Sequence, residues 1–411
     1  MSNPEDRSSA FSPLTIGPLT LRNRFIKSAT NEGAAPGGVP SKQLVRFHER
    51  IAAGGVGMTT VAYCAVSPDG RTFVDQIGLH EGNVPHLRAL TDAVHRQGAA
   101  ASAQITHGGC FTWVKDLTCG RPLSSSGGFN KVGLMSGQWW RQAMGPGQMT
   151  QVIGEFVQGA RLAKEAGFDA VEIHMGHGYL LSQFLSPLYN RRRDAYGGSP
   201  EARARYPAEV LGRVLDAVGK ELAVVCKLSV TDGARGGNTA DDGARIAKVL
   251  DAAGAHLLVL SAGLNVESIT TMFGSSFPKE NRVKMSNPLI NAAMFLQRLM
   301  EPQDVTFREM YLLESARKVR AATRMPLAYL GGVKTLANVE QAMQEGFEAV
   351  ALGRALIHGA DLVAAFGSGR TQASECTSCN RCISMMYTPG GTSCVLGEPG
   401  SAELNAQGAA S

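Results

Sequence analysis

Residues 161–180, RLAKEAGFDAVEIHMGHGYL, carry three signals in a row, and their order decides the fold. A polar helical stretch stops at Ala166-Gly167. An apolar run, DAVEIH at 169–174, follows almost at once, and histidine, glycine and tyrosine crowd in just beyond it. Glycine past a helix end is the expected cap, since a residue without Cβ takes the left-handed conformation there without steric cost. A run that is apolar at consecutive positions suits a strand covered on both faces, as in a parallel sheet.

The same signal recurs along the chain. Ala53-Gly54-Gly55 precede GMTTVAYCAV at 57–66, and Gln97-Gly98 precede AAASAQITH at 99–107. Ala253-Gly254 precede HLLVLSAG at 256–263, and Glu345-Gly346 precede EAVALGRAL at 348–356. Alternation of helix and buried strand indicates parallel βαβ units. Eight strands are expected, near 23–30, 57–66, 99–107, 170–175, 222–230, 256–263, 326–333 and 349–356. Eight units predict an α/β chain closed into a (β/α)8 TIM barrel rather than an open doubly wound sheet, and no G-x-G-x-x-G follows the first strand. The long connections at 67–84, 108–148, 176–199 and 264–307 all run from strand to helix, the face where such barrels build active sites. The last of these contains MFLQRLM, which reads as a short amphipathic helix in a lid or a dimer contact.

The chain has 411 residues, of which 44% are hydrophobic, ample for one large core. A net charge of +5 is mild, and Arg191-Arg192-Arg193 is the one basic run, so no nucleic-acid footprint is expected. The polar, acid-containing start and the lack of a long apolar stretch predict a cytoplasmic protein with no membrane partner. A small-molecule substrate and a homo-oligomeric state complete the expected partners. The domain expectation is a barrel over 1–370, a cysteine-containing extension over 371–396 and a disordered tail over 397–411.

Polar and glycine residues mark the strand ends, where packing alone needs none. Strand one ends Ser28-Ala29-Thr30-Asn31 and strand three Gln104-Ile105-Thr106-His107. Strand five places Lys227 inside AVVCKLSV, where a cation should not sit unless something anionic receives it. Strands seven and eight end in Gly331-Gly332 and Gly353-Arg354. The loops after these two strands are the usual phosphate site, glycine admitting the phosphate to backbone N–H groups and arginine supplying bidentate charge. His174 and His177 could together hold one carbonyl oxygen as negative charge develops on it, with Tyr179 close enough to deliver a proton. The loop aromatics Phe111, Trp113, Trp139 and Trp140 suggest a hydrophobic guest. Ser199-Pro200-Glu201 reads as a helix start, with the preceding arginines bracing their loop.

Over residues 11–396 the chain resembles the old yellow enzyme family of FMN-dependent ene-reductases, in its dienoyl-CoA-reductase-like branch. The likeness rests on FSPLTIGPLTLRNRFIKSAT, AVSPDGR, QITHGG, VEIHMGHGYLLSQFLSPLYNRRRDAYGG, YLGGV and ALGRALI. It implies FMN across the barrel mouth, with Ala29, Thr30 and Tyr63 lining the ring. Gln104 and Lys227 would contact the pyrimidine side, and Gly332, Gly353 and Arg354 would hold the phosphate. His174 and His177 would bind the substrate carbonyl, and Tyr179 would act as the acid. NAD(P)H would reduce the flavin, and an activated C=C bond would then receive the hydride. Three positions depart from the family: Lys227 replaces a common arginine, Ala62 a common acid, and Cys110 a frequent arginine.

Cys376-x2-Cys379-x2-Cys382-x11-Cys394 resembles the iron–sulfur segment of that branch, one residue shorter between its second and third cysteines. Four thiolates could bind a [4Fe–4S] cluster or a tetrahedral zinc; structural or redox-sensitive thiols are the alternative. Relatives with the cluster carry a further FAD and NAD(P)H domain, and within these 411 residues none is expected. Other readings of the same residues are a flavin-dependent dehydrogenase or oxidase of an amine or biosynthetic intermediate, a flavin-free phosphate-binding lyase or isomerase, and a redox-sensing flavoprotein.

Overall fold

The computed structural model describes residues 8–134, 136–277, 305–388 and 390–397. Most of the 264–307 connection, including MFLQRLM, and nearly all of the expected tail lie outside the described residues.

Eight parallel strands close into a barrel in chain order. They are β1 (Phe25–Lys27), β2 (Met58–Ala65), β3 (Ala100–Thr106), β4 (Ala170–Met175), β5 (Ala223–Ser229), β6 (Leu257–Ser261), β7 (Leu327–Tyr329) and β8 (Ala349–Leu352). Closure comes from β8 pairing β1, with Leu352 opposite Lys27. Each strand lies within the range expected for it. The surrounding helices are α1 (Lys42–Ala53), α2 (Val84–Arg96), α3 (Pro146–Glu165), α4 (Pro200–Val218), α5 (Ala240–Ala252), α6 (Leu313–Ala322), α7 (Leu336–Gln344) and α8 (Leu362–Gly367).

The helix-end glycines adopt the conformation their position demands: Gly55, Gly98, Gly167, Gly254 and Gly346 all have φ between 71° and 100°. Helix starts are capped as well. Ser199 Oγ accepts from Ala202 N, and Thr335 forms a reciprocal box with Asn338. Arg192, from the run before α4, donates to the carbonyls of Ser125 and Met144 and so ties two long loops together.

Two apolar layers hold the barrel. The larger lies between strands and helices; the smaller fills the interior with Ile26, Met58, Ala170, Ala223, Val225, Leu257, Val259, Ala328, Ala349 and Ala351. The floor is closed by a hairpin, Leu14–Ile16 with Leu19–Leu21, whose Leu14, Ile16 and Leu21 join the interior layer. Neither this hairpin nor the small sheet of Leu123–Ser124, Gly128–Phe129 and Trp140–Ala143 was foreseen from the sequence. Both are only two to four residues per strand, too short for a periodic signal. Among the described residues no helix is long and apolar enough to cross a membrane.

Candidate active site at the barrel mouth

The C-terminal ends of the strands collect buried charge. Lys227 projects from β5, its ammonium donating to Ser28 Oγ at 3.0 Å and to the Ala29 carbonyl at 3.2 Å. Glu172 on the neighbouring β4 is buried and accepts from Gln104 Nε2 at 2.7 Å. Burial pushes Lys227 and Glu172 toward their neutral forms, down and up respectively, and the field of each opposes the shift of the other. Glu172 is the acid whose field favours the charged form of Lys227, while the atoms that Lys227 touches are neutral oxygens. Gln104, expected to face a ring edge, spends one amide donor on that carboxylate.

A second lysine lies in the same place. Lys27, at the end of β1, is fully buried and pairs with Glu32, which also accepts from Thr30 Oγ1 at 2.6 Å. His48 from α1 completes the group, its Nδ1 at 2.8 Å from Thr59 Oγ1. Glu32 Oε2 and His48 Nε2 have no hydrogen-bond partner among the described residues. Sequence reasoning missed Lys27, Glu32 and Glu172. The signal was present, since FIKSAT and VEIH each place a charge in a buried strand end, but only Lys227 was read this way.

His174 leaves the end of β4, and His177 follows in a left-handed backbone conformation, φ 61°, rare for a residue with a side chain. The fold holds this turn firmly. His177 N donates to Ser229 Oγ at 3.1 Å, and Asn265 N donates to the His177 carbonyl at 3.2 Å. The result brings the two imidazoles face to edge, with His177 Nδ1 at 3.2 Å from His174 Nε2.

The hydrogen bonds assign the protons. Gly176 N donates to His174 Nδ1, so His174 is protonated on Nε2 and donates to His177 Nδ1. His177 then carries its proton on Nε2 and donates to Ser261 Oγ at 2.7 Å. Burial, reinforced by Lys227, holds both rings well below the usual imidazole range and so neutral. The pair thus forms a donor chain ending on Ser261, a residue that sequence reasoning did not single out.

Tyr179 packs edge-on against His174 at a 4.7 Å centroid separation. Tyr63, Ala62, Ala29, Phe73 and Phe111 surround it as one apolar cluster, with Trp113 against Phe111. Trp139 and Trp140 stand apart, more than half exposed, so the four loop aromatics do not form one surface. A cavity of about 2020 Å³ opens beside this rim, lined by Glu32, Ala62, Tyr63 and Phe73 together with residues of α1 and of the cysteine segment.

At the closing strands the two glycine sites differ. A Cβ on Gly332 would meet Met310 N at 2.8 Å and Arg308 O at 2.9 Å, so glycine there lets the preceding loop approach. A Cβ on Gly353 would meet only Thr30 Cγ2, at 4.0 Å. Gly353 therefore faces the open rim. Arg354, next in sequence, donates to the Phe273 carbonyl, Ser275 Oγ, the Ser378 carbonyl and Asn380 Oδ1.

Cys376 and Cys382 are buried, and Cys379 and Cys394 half-buried. Burial pushes the Cys382 thiol up to about 12, and the other three thiols lie close enough to add to the shift. The four are gathered at one place. Among the described residues, however, no group of three or more His, Cys, Asp or Glu side chains is arranged to hold a metal ion.

Residues 9–373 match the model of a protein family described as NADH:flavin oxidoreductase / NADH oxidase. The chain belongs to that family. It is 40% identical over 395 residues to the 4,4'-dithiodibutanoate disulfide reductase of Rhodococcus erythropolis, covering 94% of this chain and 95% of the relative. It is 32% identical to the NADH oxidase of Thermoanaerobacter brockii, where it spans 90% of this chain but only 52% of that protein. The old yellow enzyme homologue of Zymomonas mobilis superposes with a TM-score of 0.69 at 21% identity, covering 96% of this chain and 98% of that one. That likeness carries the fold.

Membership in this oxidoreductase family implies a flavin, and the mouth fits one. Gly353 leaves a cradle that a Cβ would narrow, and Arg354 stands beside it. Lys227 presents a buried cation whose direct acceptors are neutral oxygens, suited to the electron-rich edge of a reduced ring.

Proposed function

We propose that this NADH:flavin oxidoreductase uses FMN to pass a hydride from NAD(P)H to an electron-poor acceptor, with a C=C bond conjugated to a carbonyl as the first candidate. The observation that carries this reading is the His174–His177–Ser261 chain at the rim, neutral, buried and ending on a hydroxyl that can reverse its role. When bound, FMN supplies hydride from its N5 and accepts it from the nicotinamide in turn.

The chain's own residues do the rest. A carbonyl oxygen entering between the imidazoles competes with His177 Nδ1 for the His174 Nε2 proton. Moving the His177 proton from Nε2 to Nδ1 turns the pair into two converging donors. Ser261 then donates to the freed Nε2 rather than accepting from it. Two donors aimed at an oxygen that gains negative charge lower the barrier by roughly 3–4 kcal/mol for each well-placed bond. Tyr179 holds the proton destined for the α-carbon. Tyr63, Phe73 and Phe111 exclude water around it. Lys227 sits where Ser28 and Ala29 fix it, to favour the reduced ring electrostatically, and Arg354 with the Gly353 backbone would hold the phosphate.

A second acceptor class has its own support. The relative that matches along nearly its whole length at 40% identity is named for reducing a disulfide. The deciding experiment mixes the anaerobic, flavin-loaded protein with NADH or NADPH and then offers cyclohexenone and 4,4'-dithiodibutanoate separately. Fast flavin reoxidation by the enone supports the alkene reading. Reoxidation by the disulfide alone replaces it, and reoxidation by neither, with oxygen the one active acceptor, overturns both.

A further inference from the structure

Asn380 lies between the second and third cysteines of the C-terminal segment, yet its side chain serves the barrel. It is buried and held in a left-handed conformation, φ 61°, as is Ser378 two residues earlier at 58°. Its Oδ1 accepts from Arg354 Nη1. Its Nδ2 donates to the Ser275 carbonyl at 3.1 Å, Ser275 Oγ at 2.9 Å and the Ser276 carbonyl at 3.2 Å. Ser275 Oγ donates in turn to the Ser378 carbonyl at 3.1 Å. Three segments meet on one guanidinium: the end of β8, the loop reached from β6, and the cysteine segment.

Arg354 divides its donors among these segments. Nη1 faces Ser275, Ser378 and Asn380, and one Nη2 hydrogen goes to the Phe273 carbonyl at 2.6 Å. Phe273 and Phe307 lie against the guanidinium, with Cζ at 5.8 and 5.5 Å from the ring centroids. Among the described residues Nε donates to no acceptor, and every hydrogen bond of the guanidinium leaves from Nη1 or Nη2. An arginine Nε–H and the N–H beside it form the fork that grips a phosphate two-pronged, and Nε is the donor left over here. An arginine side chain left to itself samples many rotamers, and that freedom costs affinity when it must be frozen on binding. Asn380 has frozen it beforehand.

We propose that Asn380 is a positioning residue: it holds the Arg354 guanidinium through Nη1 and leaves Nε for a phosphate, so that a residue of the cysteine segment sets how tightly a flavin phosphate is held. The inference rests on the reading that Arg354 meets the FMN phosphate. It adds a physical link between the cysteine segment and the flavin site, because whatever shifts the 378–380 turn shifts the guanidinium as well.

The test uses the full chain stripped of flavin, titrated with FMN and with riboflavin, which lacks the phosphate; quenching of flavin fluorescence gives each Kd. The ratio of the two affinities reads the phosphate contact alone, and a general loosening of the protein leaves it unchanged. N380A is expected to lower the FMN-to-riboflavin preference about tenfold, the loss of one charge-assisted contact. N380D keeps the shape in case the alanine variant does not fold. Its carboxylate pairs off the guanidinium and repels a phosphate dianion, so the ratio falls at least as far. A folded variant of either kind with the wild-type ratio overturns the proposal. R354A separates it from the reading beneath: if R354A removes the preference and the Asn380 variants do not, only the positioning role fails. If R354A also leaves the ratio unchanged, the phosphate assignment itself is wrong.

Discussion

Lys27 and Glu32 form an ion pair that solvent does not reach, with side-chain exposures of 0% and 3%. The ammonium also points toward the Thr60 carbonyl at 3.3 Å and lies 5.2 Å from the centre of the Phe47 ring. The pair sits beneath Thr30, at the rim where the flavin ring is expected. It joins β1 to the loop that follows, and its Glu32 end lines the adjoining cavity.

Removing one partner strands the other. Glu32→Ala leaves a buried ammonium with one carbonyl for company, and should destabilise the fold by about 3–5 kcal/mol. Lys27→Met should cost a similar amount, unless Glu32 takes up a proton. The double variant Lys27→Met/Glu32→Leu removes both charges and should lose clearly less than the two single variants summed. Urea unfolding of the three variants checks this; strict additivity would mean the pair contributes no coupling.

Acid sensitivity follows from the buried imidazoles. Burial, with Lys27 nearby, holds His48 well below its ordinary value of 6.5 in the folded chain. Between the two values the unfolded chain binds a proton that the folded chain refuses. The stability due to neutral His48 is complete above about pH 6.5 and declines as pH falls, at about 1.4 kcal/mol per unit. His174 and His177 act in the same sense. Asp232 opposes them: burial raises it to about 6, so below that pH the folded chain binds the extra proton. Glu32, Glu172 and Glu267, raised by burial, act with Asp232. Unfolding midpoints in urea at pH 7, 6 and 5 give the slope, and His48→Asn should lessen the loss of stability on acidification by up to one proton. An unchanged slope would mean that His48 is protonated in the folded state.

The barrel was legible in the sequence because its signals are local and repeated. Every helix end expected from a glycine, those at Gly167 and Gly254 among them, does carry one with a positive φ, and each strand read as apolar is buried. The position of the candidate site was legible where chemistry and strand end coincide, since Lys227, His174 and Gly353 all lie at the C-terminal ends of barrel strands. What escaped depends on pairing across distance. Nothing near Lys27 in sequence says that it is buried against Glu32 rather than solvated. Nothing near Asn380 says that it reaches Arg354, 26 residues away. The proton order along His174, His177 and Ser261 depends on a contact spanning 84 residues, which no local pattern encodes.

Lys227 should tune the flavin. A fixed cation beside the ring edge stabilises the extra electron density of the reduced state. Lys227→Met is expected to lower the two-electron potential of bound flavin by about 30–60 mV, equivalent to roughly 1.4–2.8 kcal/mol. Lys227→Arg should keep most of the potential. Dye-coupled reductive titration reads the shift, and a methionine variant with native potential and flavin content would remove the lysine from the ring's surroundings.

The histidines act on the acceptor, so their loss should separate the two half-reactions. His174→Ala with His177→Ala should slow acceptor reduction by about 10²–10³-fold for each donor removed, with FMN retained and NAD(P)H oxidation close to native. Ser261→Ala removes only the hydroxyl that exchanges donor and acceptor roles with His177, and about tenfold is the expected loss. Stopped-flow traces of each half-reaction give both numbers. Loss of flavin from the double variant would place the pair on the cofactor instead.

Tyr179 distinguishes the two acceptor classes, because they differ in what must be protonated. Hydride delivery to an enone leaves negative charge that ends as a C–H bond at the α-carbon, and carbon takes a proton slowly unless one is held beside it. Hydride delivery to a disulfide breaks the S–S bond and releases one thiol and one thiolate, and a thiolate near its own pKa of about 8.5 leaves without an acid. The ring of Tyr179 lies against His174 at 4.7 Å and against Tyr63 at 5.2 Å, so phenylalanine preserves the packing and removes only the hydroxyl. Tyr179→Phe should therefore reduce enone turnover by about 10²-fold, within the range for a positioned general acid, while disulfide turnover stays within about threefold of native. Equal losses on both acceptors would mean that Tyr179 shapes the site without delivering the proton. No loss on either would move the acid to another residue.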